Sequence, residues 1–368
     1  CTNWLHSFIN KGVKFIMAYT TVNKVNDFMT SLTYTGNYST NAITGVGFSP
    51  NAVWQKDTGD TSTHSFFDTT QGVNKRWIPG SNVAQQTESA YLNSFDSDGF
   101  TVGANNATNQ NGVKQASWCW KAGTSSGLSG GDITPSAYSI NTTAKFGIYK
   151  YTGNGTSGAT IAHGLGGTPA CIWIKALSRT DDTVMGHHMQ NSGTNPWNYH
   201  FKLRETSRSV GASTAYFNDT APTSSVFSLG NDTGVNSNGD TYVAYVWCEV
   251  PGFSKFGEYS SNGNSDGPFV YTGFKPEALI IASASTNDEV EMYDSVRNGY
   301  NDANYHLNFN LTTAEDTNSG RMDLLSNGFK LRTGPSGPIN SGSAGTKYLY
   351  FAWGQTLVGS NNVPCTAR

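Results

Sequence analysis

The stretch Gly-Gly-Thr-Pro-Ala-Cys-Ile-Trp-Ile-Lys at residues 166–175 decides the fold, because a turn signal runs directly into an apolar, aromatic and β-branched segment. Pro is tolerated at the head of a strand, where its missing N–H lies outside the hydrogen-bonded ladder. The same Gly-x-x-Pro element leads into apolar segments at residues 47–54 and 273–281. The sequence therefore predicts the same kind of strand in three places.

Three further elements recur in the same order around each of these strands. They are a turn of the Tyr-Thr-Gly-Asn type, a short segment centred on Phe, and a closing aromatic strand. Their positions are 34–37, 98–103 and 116–120 in the first copy, 151–155, 225–230 and 242–247 in the second, and 259–264, 327–332 and 348–353 in the third. Four elements in one order, three times over, indicate an internal repeat.

Composition and turn chemistry favour an all-β fold. Charged residues make up only 13% of the chain while aromatic residues reach 12%, so the chain is polar and still has material for a core. Because a module of about 100 residues with several short strands fits one β-sandwich, we predict tandem sandwiches of jelly-roll or concanavalin type, arranged as three beads in a row.

The repeat sets the predicted boundaries. An N-terminal arm covers residues 1–30, and residues 1–16 are interpreted as an extension ahead of Met17, or else as a docking arm. The remaining predicted units are a first sandwich over 31–123, a Gly/Ser-rich linker over 124–144, a second sandwich over 145–252, and a third sandwich with a C-terminal tail over 253–368.

Charge and hydropathy exclude two classes of partner. The net charge is −3 and no block of Lys and Arg occurs, which argues against nucleic acid. No apolar run approaches 18 residues, so we predict no membrane insertion. The five cysteines are far apart in sequence and are predicted to be free, buried thiols.

The tryptophans divide into two groups. Most of them sit in the repeated strands and are predicted to be core residues: Trp54, Trp118, Trp120, Trp173, Trp247 and Trp353. Trp77 and Trp197 fall in polar loops, as does Trp4, and aromatic faces can stack on sugar rings. Trp77 and Trp197 are therefore the candidate ligand-binding residues.

Histidines and acids supply no catalytic constellation. His187 and His188 are adjacent, so in a strand they point to opposite faces, and we predict a surface pair. His163 is predicted to be a structural turn histidine. The acidic pairs, none of which recurs clearly in all three copies, are Asp96/Asp98, Asp181/Asp182 and Asp288/Glu289, while Asp68 and Asp294 follow aromatic residues as expected of strand-end caps. We predict no catalytic residue, no cofactor and no metal site, with a cation in the loops over 231–240 as the lesser alternative.

Several stretches resemble a family of phage-encoded structural proteins from marine and metagenomic tailed phages, described as tail-fibre-like. The matching stretches are 17–24, 45–50, 94–103, 118–123, 218–228, 267–276, 325–332 and the ending 358–368. The resemblance covers nearly everything from Met17 onward and implies a virion component, without catalytic residues to carry over. Residues 1–16 have no counterpart, and the third Pro-led strand ends in Ile-Ala-Ser where the family shows a Lys-containing strand.

The leading functional hypothesis is a phage virion protein of the tail-fibre or receptor-binding type that presents loops to the host surface. A capsid-decorating or head-fibre protein is the first alternative, and a glycan-cleaving tailspike is the second. The expected partners are other virion proteins, further copies of the chain in a homotrimer, and a host surface glycan. The protein would be assembled in the host cytoplasm and be extracellular when mature.

Overall fold

The computed structural model describes residues 21–355, apart from positions 23, 204–208, 285–288, 299–300, 302–304, 318–320, 335–336 and 342–343. Within these residues almost all regular structure is β, which confirms the predicted all-β class. The proposed extension over 1–16, Trp4, and the tail beyond 355 lie outside the described residues.

The strands are numbered in chain order. The chain is described in three segments, residues 21–123, 124–252 and 253–355, which we call the first, second and last thirds. The first third has β1 (Met29–Thr35), β2 (Asn41–Thr44), β3 (Ala52–Asp57), β4 (Ser65–Asp68), β5 (Lys75–Arg76), β6 (Gln86–Thr87), β7 (Leu92–Asp96), β8 (Gly99–Val102) and β9 (Lys114–Trp120). The second third has β10 (Ala137–Asn141), β11 (Phe146–Thr152), β12 (Thr160–Ala162), β13 (Pro169–Ala176), β14 (Thr183–His187), β15 (Tyr199–Leu203), β16 (Ser209–Ala212), β17 (Val226–Ser228) and β18 (Thr241–Cys248). The last third has β19 (Ser254–Ser260), β20 (Phe269–Tyr271), β21 (Pro276–Ser283), β22 (Glu291–Asp294), β23 (Leu307–Asn308), β24 (Met322–Leu325), β25 (Gly328–Leu331) and β26 (Lys347–Gly354).

The helices are single turns. They are α1 (Asn106–Asn109), α2 (Thr214–Phe217) and α3 (Thr233–Asn236), with 3₁₀ turns at Val25–Asp27, Gln190–Gly193 and Pro196–Asn198. Among the described residues, none of these helices has the length and apolar character needed to cross a membrane.

Each third has a main sheet built by the same antiparallel pairings. The closing aromatic strand lies in the centre, between the strand before the Tyr-containing turn and the Pro-led strand. The sheet orders are β1-β9-β3-β4, β10-β11-β18-β13-β14-β15-β16 and β19-β26-β21-β22-β23. The central strands carry the aromatic and β-branched residues that a sheet buried on both faces requires.

A small sheet covers the outer face of each main sheet. These sheets are β2-β8-β7, β12-β17 and β20-β25-β24, and a separate pair β5-β6 lies in the first third. Each pair of main and small sheets encloses its own apolar core, with Phe100, Phe227 and Phe329 at corresponding places. The predicted sandwich architecture is therefore confirmed.

The inner faces of the three main sheets meet in one shared core. Alternate residues along β9, β18 and β26 point inward, and Trp120 and Trp247 lie 5.4 and 5.9 Å from Trp353 between ring centroids. This burial confirms the prediction that the strand tryptophans are core residues. The expectation of three beads in a row is wrong, because each main sheet is apolar on both faces and the other two sheets cover its inner face.

Two predicted boundaries also change. Strand β10 and the bridge between Thr124 and Ile140 lie within the predicted linker over 124–144, where Ile133 and Ile140 are buried. This segment is therefore part of the second sandwich rather than a spacer. Strand β1 begins at Met29, two residues inside the predicted arm, and Val25 packs into the shared core.

One buried asparagine ties the same turn in each third. Asn109, Asn236 and Asn340 donate through Nδ2 to the side-chain oxygens of turn asparagines, which are Asn37, Asn154 and Asn262. The residue before each buried asparagine accepts a hydrogen bond at its carbonyl from a tyrosine hydroxyl; the donors are Tyr34, Tyr151 and Tyr259. These contacts explain why the Tyr-x-Gly/Ser-Asn turn recurs in the sequence.

Candidate functional site

One residue at a corresponding strand end in each third contacts the next main sheet. Asp68, His187 and Asp294 occupy this position, because they pair across their sheets with Ala52, Cys171 and Ala278 respectively. In each case the backbone N–H two residues later donates to the side chain, at 2.8–3.1 Å. This confirms that Asp68 and Asp294 are strand-end caps, and it identifies His187 as their counterpart in the second third.

The three contacts run in one direction around the molecule. Tyr245 of the second third donates its hydroxyl to Asp68 at 2.5 Å, and the indole N–H of Trp118 in the first third donates to Asp294 at 3.2 Å. His187 reaches the third main sheet, where its Nε2 lies 3.3 Å from the carbonyl oxygen of Tyr350. The first third therefore contacts the second, the second contacts the third, and the third contacts the first, which closes the ring.

His187 differs from the two aspartates because its neighbour differs. One inward position of each closing strand, two residues before its last tryptophan, is occupied by Trp118, Tyr245 or Phe351. Of these three side chains, only that of Phe351 has no polar hydrogen to donate. A histidine supplies the donor instead. Since Met189 N–H donates to Nδ1, the proton lies on Nε2, which donates to Tyr350. Burial, then the nearby His188, holds the pKa of His187 well below its usual range, so the ring is neutral.

The prediction of a surface pair is therefore wrong for His187, which is fully buried. His188 is half-buried just after the strand, with its ring centroid 5.4 Å from that of His187, and its Nε2 lies 2.6 Å from the carbonyl oxygen of Phe256. His163 is a buried structural residue, as predicted, since Leu165 N–H donates to its Nδ1 and its Nε2 contacts the Thr223 carbonyl. All three rings are used to join segments of the fold.

Two lysines are buried near the ends of Pro-led strands. Lys56 donates to the backbone carbonyls of Asp57 and Asp60, and Lys175 donates to those of Ser81 and Asp181. Burial lowers the pKa of each lysine to about 8, an effect that neighbouring aspartates partly offset. Ser81 belongs to the first third, so Lys175 is also a contact between thirds.

The two tryptophans proposed as ligand contacts are buried. Trp77 stacks on Phe66 at 4.8 Å between ring centroids and donates its indole N–H to the Tyr245 hydroxyl at 2.7 Å. Trp197 packs edge to face against Phe217, and only its margin reaches a cleft of about 250 Å³. Neither ring presents a face to solvent, so this prediction is wrong for both. The loops are polar in sequence, but bridge pairing of Trp77 with Phe66 turns the indole inward.

The acidic pairs accept hydrogen bonds from nearby backbone N–H and threonine hydroxyl groups. Asp98 accepts from the N–H groups of Gly45 and Gly47, and Asp96 accepts from the Thr101 hydroxyl. Asp181 accepts from the Thr233 hydroxyl. Asp288 lies outside the described residues. Within the part of the chain that the structure describes, no group of three or more His, Cys, Asp or Glu side chains is placed to hold a metal ion.

The candidate functional surface lies on the outer face of the last small sheet. Phe269 and Tyr271 of β20 are 46% and 61% exposed, whereas Val270 between them is buried in the sandwich core. Across the sheet Phe269 pairs with Lys330, which in turn pairs with Asp323. We call the outward side chains of Phe269, Tyr271, Lys330 and Asp323 the β20 face.

The charges on the β20 face are paired within it or at its margin. Lys330 lies 2.7 Å from an Asp266 carboxylate oxygen, and Arg332 lies 2.5 Å from one of Asp323. Tyr271 pairs across the sheet with Gly328, and the Phe269 ring leans over the same glycine, since a side chain there would meet its edge. Both aromatic residues therefore adjoin Gly328 on a surface whose charged groups are paired.

Comparison with known families supplies an assignment but no activity. A family described as a domain of unknown function, DUF7483, matches residues 24–356. The chain belongs to the DUF7483 family. No curated protein matches the chain.

The DUF7483 domain provides its own comparison for the β20 face. The strands equivalent to β20 are β2 and β12, since Ile43, Ile161 and Val270 each pair with the central Phe of the neighbouring strand. Where β20 has Phe269 and Tyr271, β2 has Ala and Thr at positions 42 and 44, and β12 has Thr and Ala at 160 and 162. Sequence reasoning missed this pair, although the difference between copies was visible once the strands were aligned.

Proposed function

We propose that this DUF7483 protein is a structural component of a phage virion that contacts the host surface, and that the β20 face is its contact surface. The observation that carries the proposal is the exposure of two large aromatic side chains, whereas the other strand aromatics among the described residues are buried or partly buried. Two equivalent strands in the same molecule form without them, so their role lies outside folding. Exposed apolar groups on an otherwise polar surface are typical of binding sites.

The virion part of the proposal rests on the resemblance of its repeated stretches to tail-fibre-like phage proteins. The closed ring of three main sheets suits such a role. It holds the β20 face on a sandwich whose main sheet packs against the main sheets of the other two thirds. The buried histidines contact backbone groups, and the capping aspartates accept from backbone, hydroxyl and indole groups, which favours a structural over a catalytic use.

Immunogold electron microscopy tests the proposal on particles that carry the protein. Antibodies raised against the full chain should label the host-proximal end of the tail, and the free protein should compete with particles for adsorption to host cells. Labelling spread over the capsid would contradict the proposal and favour a decorating protein. Release of reducing ends from host polysaccharide would instead favour a tailspike.

A further inference from the structure

We propose that the β20 face binds the pyranose rings of an uncharged glycan. This inference rests on the proposed host-facing role and specifies the ligand class for that surface. Residues two apart on one strand lie about 6–7 Å apart on the same face, so Phe269 and Tyr271 present neighbouring rings. This spacing allows two successive sugar rings to stack, with their C–H groups against the negative faces of the aromatic rings.

The surrounding polar groups fit a neutral ligand better than a charged one. Lys330 is paired with Asp266, and Arg332 with Asp323, so the two cations and two anions balance locally. A polyanionic glycan would have to break these pairs in order to bind the cations. The balanced charges also leave no surplus of positive charge to attract a polyanion from a distance. The ammonium, guanidinium and carboxylate groups can each still exchange hydrogen bonds with sugar hydroxyls at the margin of the rings.

The internal repeat separates this role from folding. The middle residue of the strand is buried and apolar in all three copies, as Ile43, Ile161 and Val270. The residues on either side of it vary, and only the last third places aromatic rings there. If the sandwich needed aromatic residues here in order to fold, all three strands would have similar residues. The aromatic pair is therefore explained by binding to another molecule.

A second protein chain fits the surface less well. Two half-exposed rings offer on the order of 200 Å² of contact, whereas a stable protein interface buries about 800 Å² on each partner. Strand addition at the open edge of β20 is disfavoured, because β20 has three residues and Pro268, directly before it, has no N–H to donate. A sugar pair requires neither a large area nor a free strand edge.

The test variant copies the second third. Phe269→Thr with Tyr271→Ala gives β20 the residues that flank Ile161 in β12, so the sheet is expected to form normally, which thermal unfolding checks. The matched control is Tyr38→Gly, which removes another exposed aromatic ring, from the first third. Tyr38 has a φ of 51° where the equivalent residues are Gly155 and Gly263, so glycine is the natural occupant.

Binding is measured with the full chain on an array of neutral, sialylated and sulfated glycans, and by calorimetry with maltohexaose, cellohexaose and mannohexaose. We expect the wild type and Tyr38→Gly to bind the same neutral glycans, and the double variant to bind them about tenfold or more weakly, because two stacking contacts are lost. The inference is overturned if only charged glycans bind, if none bind, or if the double variant binds as tightly as the wild type.

Two further measurements separate this inference from the function on which it rests. Light scattering that shows a dimer in the wild type but not in the double variant would assign the β20 face to a second copy and overturn the glycan assignment. Tail labelling without neutral-glycan binding would leave the proposed function in place and reject the ligand. Neutral-glycan binding with capsid-wide labelling would support the ligand and reject the host-contact role.

Discussion

His187 shows how a single residue follows the chemistry of its neighbour across a sheet junction. Asp68 and Asp294 occupy the equivalent position and accept from the Tyr245 hydroxyl and the Trp118 indole N–H. Phe351 stands where those donors would be, and a backbone carbonyl is within reach instead. An acceptor in the second third would therefore face another acceptor, whereas a neutral histidine can donate.

The contact between His187 and the last third predicts the effect of replacing this histidine by the aspartate found at the equivalent positions. His187→Asp should lower the free energy of unfolding at pH 7 by about 3–5 kcal/mol, because it buries an uncompensated carboxylate. Adding Phe351→Tyr should restore part of this loss by supplying a hydroxyl like that of Tyr245. Urea unfolding of both single variants and the double variant gives the coupling energy, expected at about 1–3 kcal/mol. A coupling near zero would show that the two positions do not interact.

At the scale of the element, the end of a Pro-led strand tolerates both a buried lysine and an apolar residue. Lys56 and Lys175 occupy equivalent positions in β3 and β13, and Ala282 takes that position in β21. Each lysine ammonium donates to backbone carbonyls, which explains why a charged residue can be buried near the end of a Pro-led strand. The sequence difference in the third copy therefore changes one side chain without changing the strand.

The depressed lysine pKa values predict a dependence of stability on pH. The folded pKa of Lys175 is about 8 while the unfolded value is about 10.4, so between these limits the unfolded chain binds more protons and the lysine's contribution to stability rises with pH. The free energy of unfolding of the wild type, minus that of Lys175→Met, should increase by about 1.4 kcal/mol per pH unit between pH 8 and 10.

The difference between variant and wild type is the quantity to measure for Lys175. Buried cysteines and tyrosines with raised pKa values act in the opposite direction above about pH 9, and the subtraction removes them. Urea unfolding at pH 7, 8, 9 and 10 under reducing conditions gives the slope. The Lys114→Met variant is the matched control for removing a lysine, since this side chain is exposed. A difference for Lys175→Met that does not change with pH would contradict a depressed pKa of Lys175.

Individual strands could be predicted from the sequence where their signals are local. The Pro-led and closing strands were recognisable because turn residues and apolar periodicity are local signals. Strand β10 was missed because its five residues follow a Gly- and Ser-rich stretch that reads as a linker. The inward orientation of Trp77 depends on pairing with Phe66 and on the distant Tyr245, so no local pattern could reveal it. The β20 face needed a comparison of aligned copies.

For the whole molecule, local patterns indicated that the central strands are buried on both faces but not what covers them. The ring of contacts from Asp68, His187 and Asp294 joins the first third to the second, the second to the third and the third to the first. Each third thus completes the core of the other two. The three sandwiches should therefore unfold as one cooperative unit rather than as independent modules.

Buried cysteines in different thirds report on this cooperativity. Cys119 lies in the first third, and Cys171 and Cys248 lie in the second, while Trp353 contributes to the shared core from the last third. Trp353→Ala should destabilise the protein by about 3–5 kcal/mol, because it leaves a large cavity in the shared core. Cooperative unfolding predicts that thiol labelling in urea, resolved by peptide mass spectrometry, shifts equally at all three cysteines. If the thirds unfolded independently, Cys119 would keep its wild-type labelling midpoint.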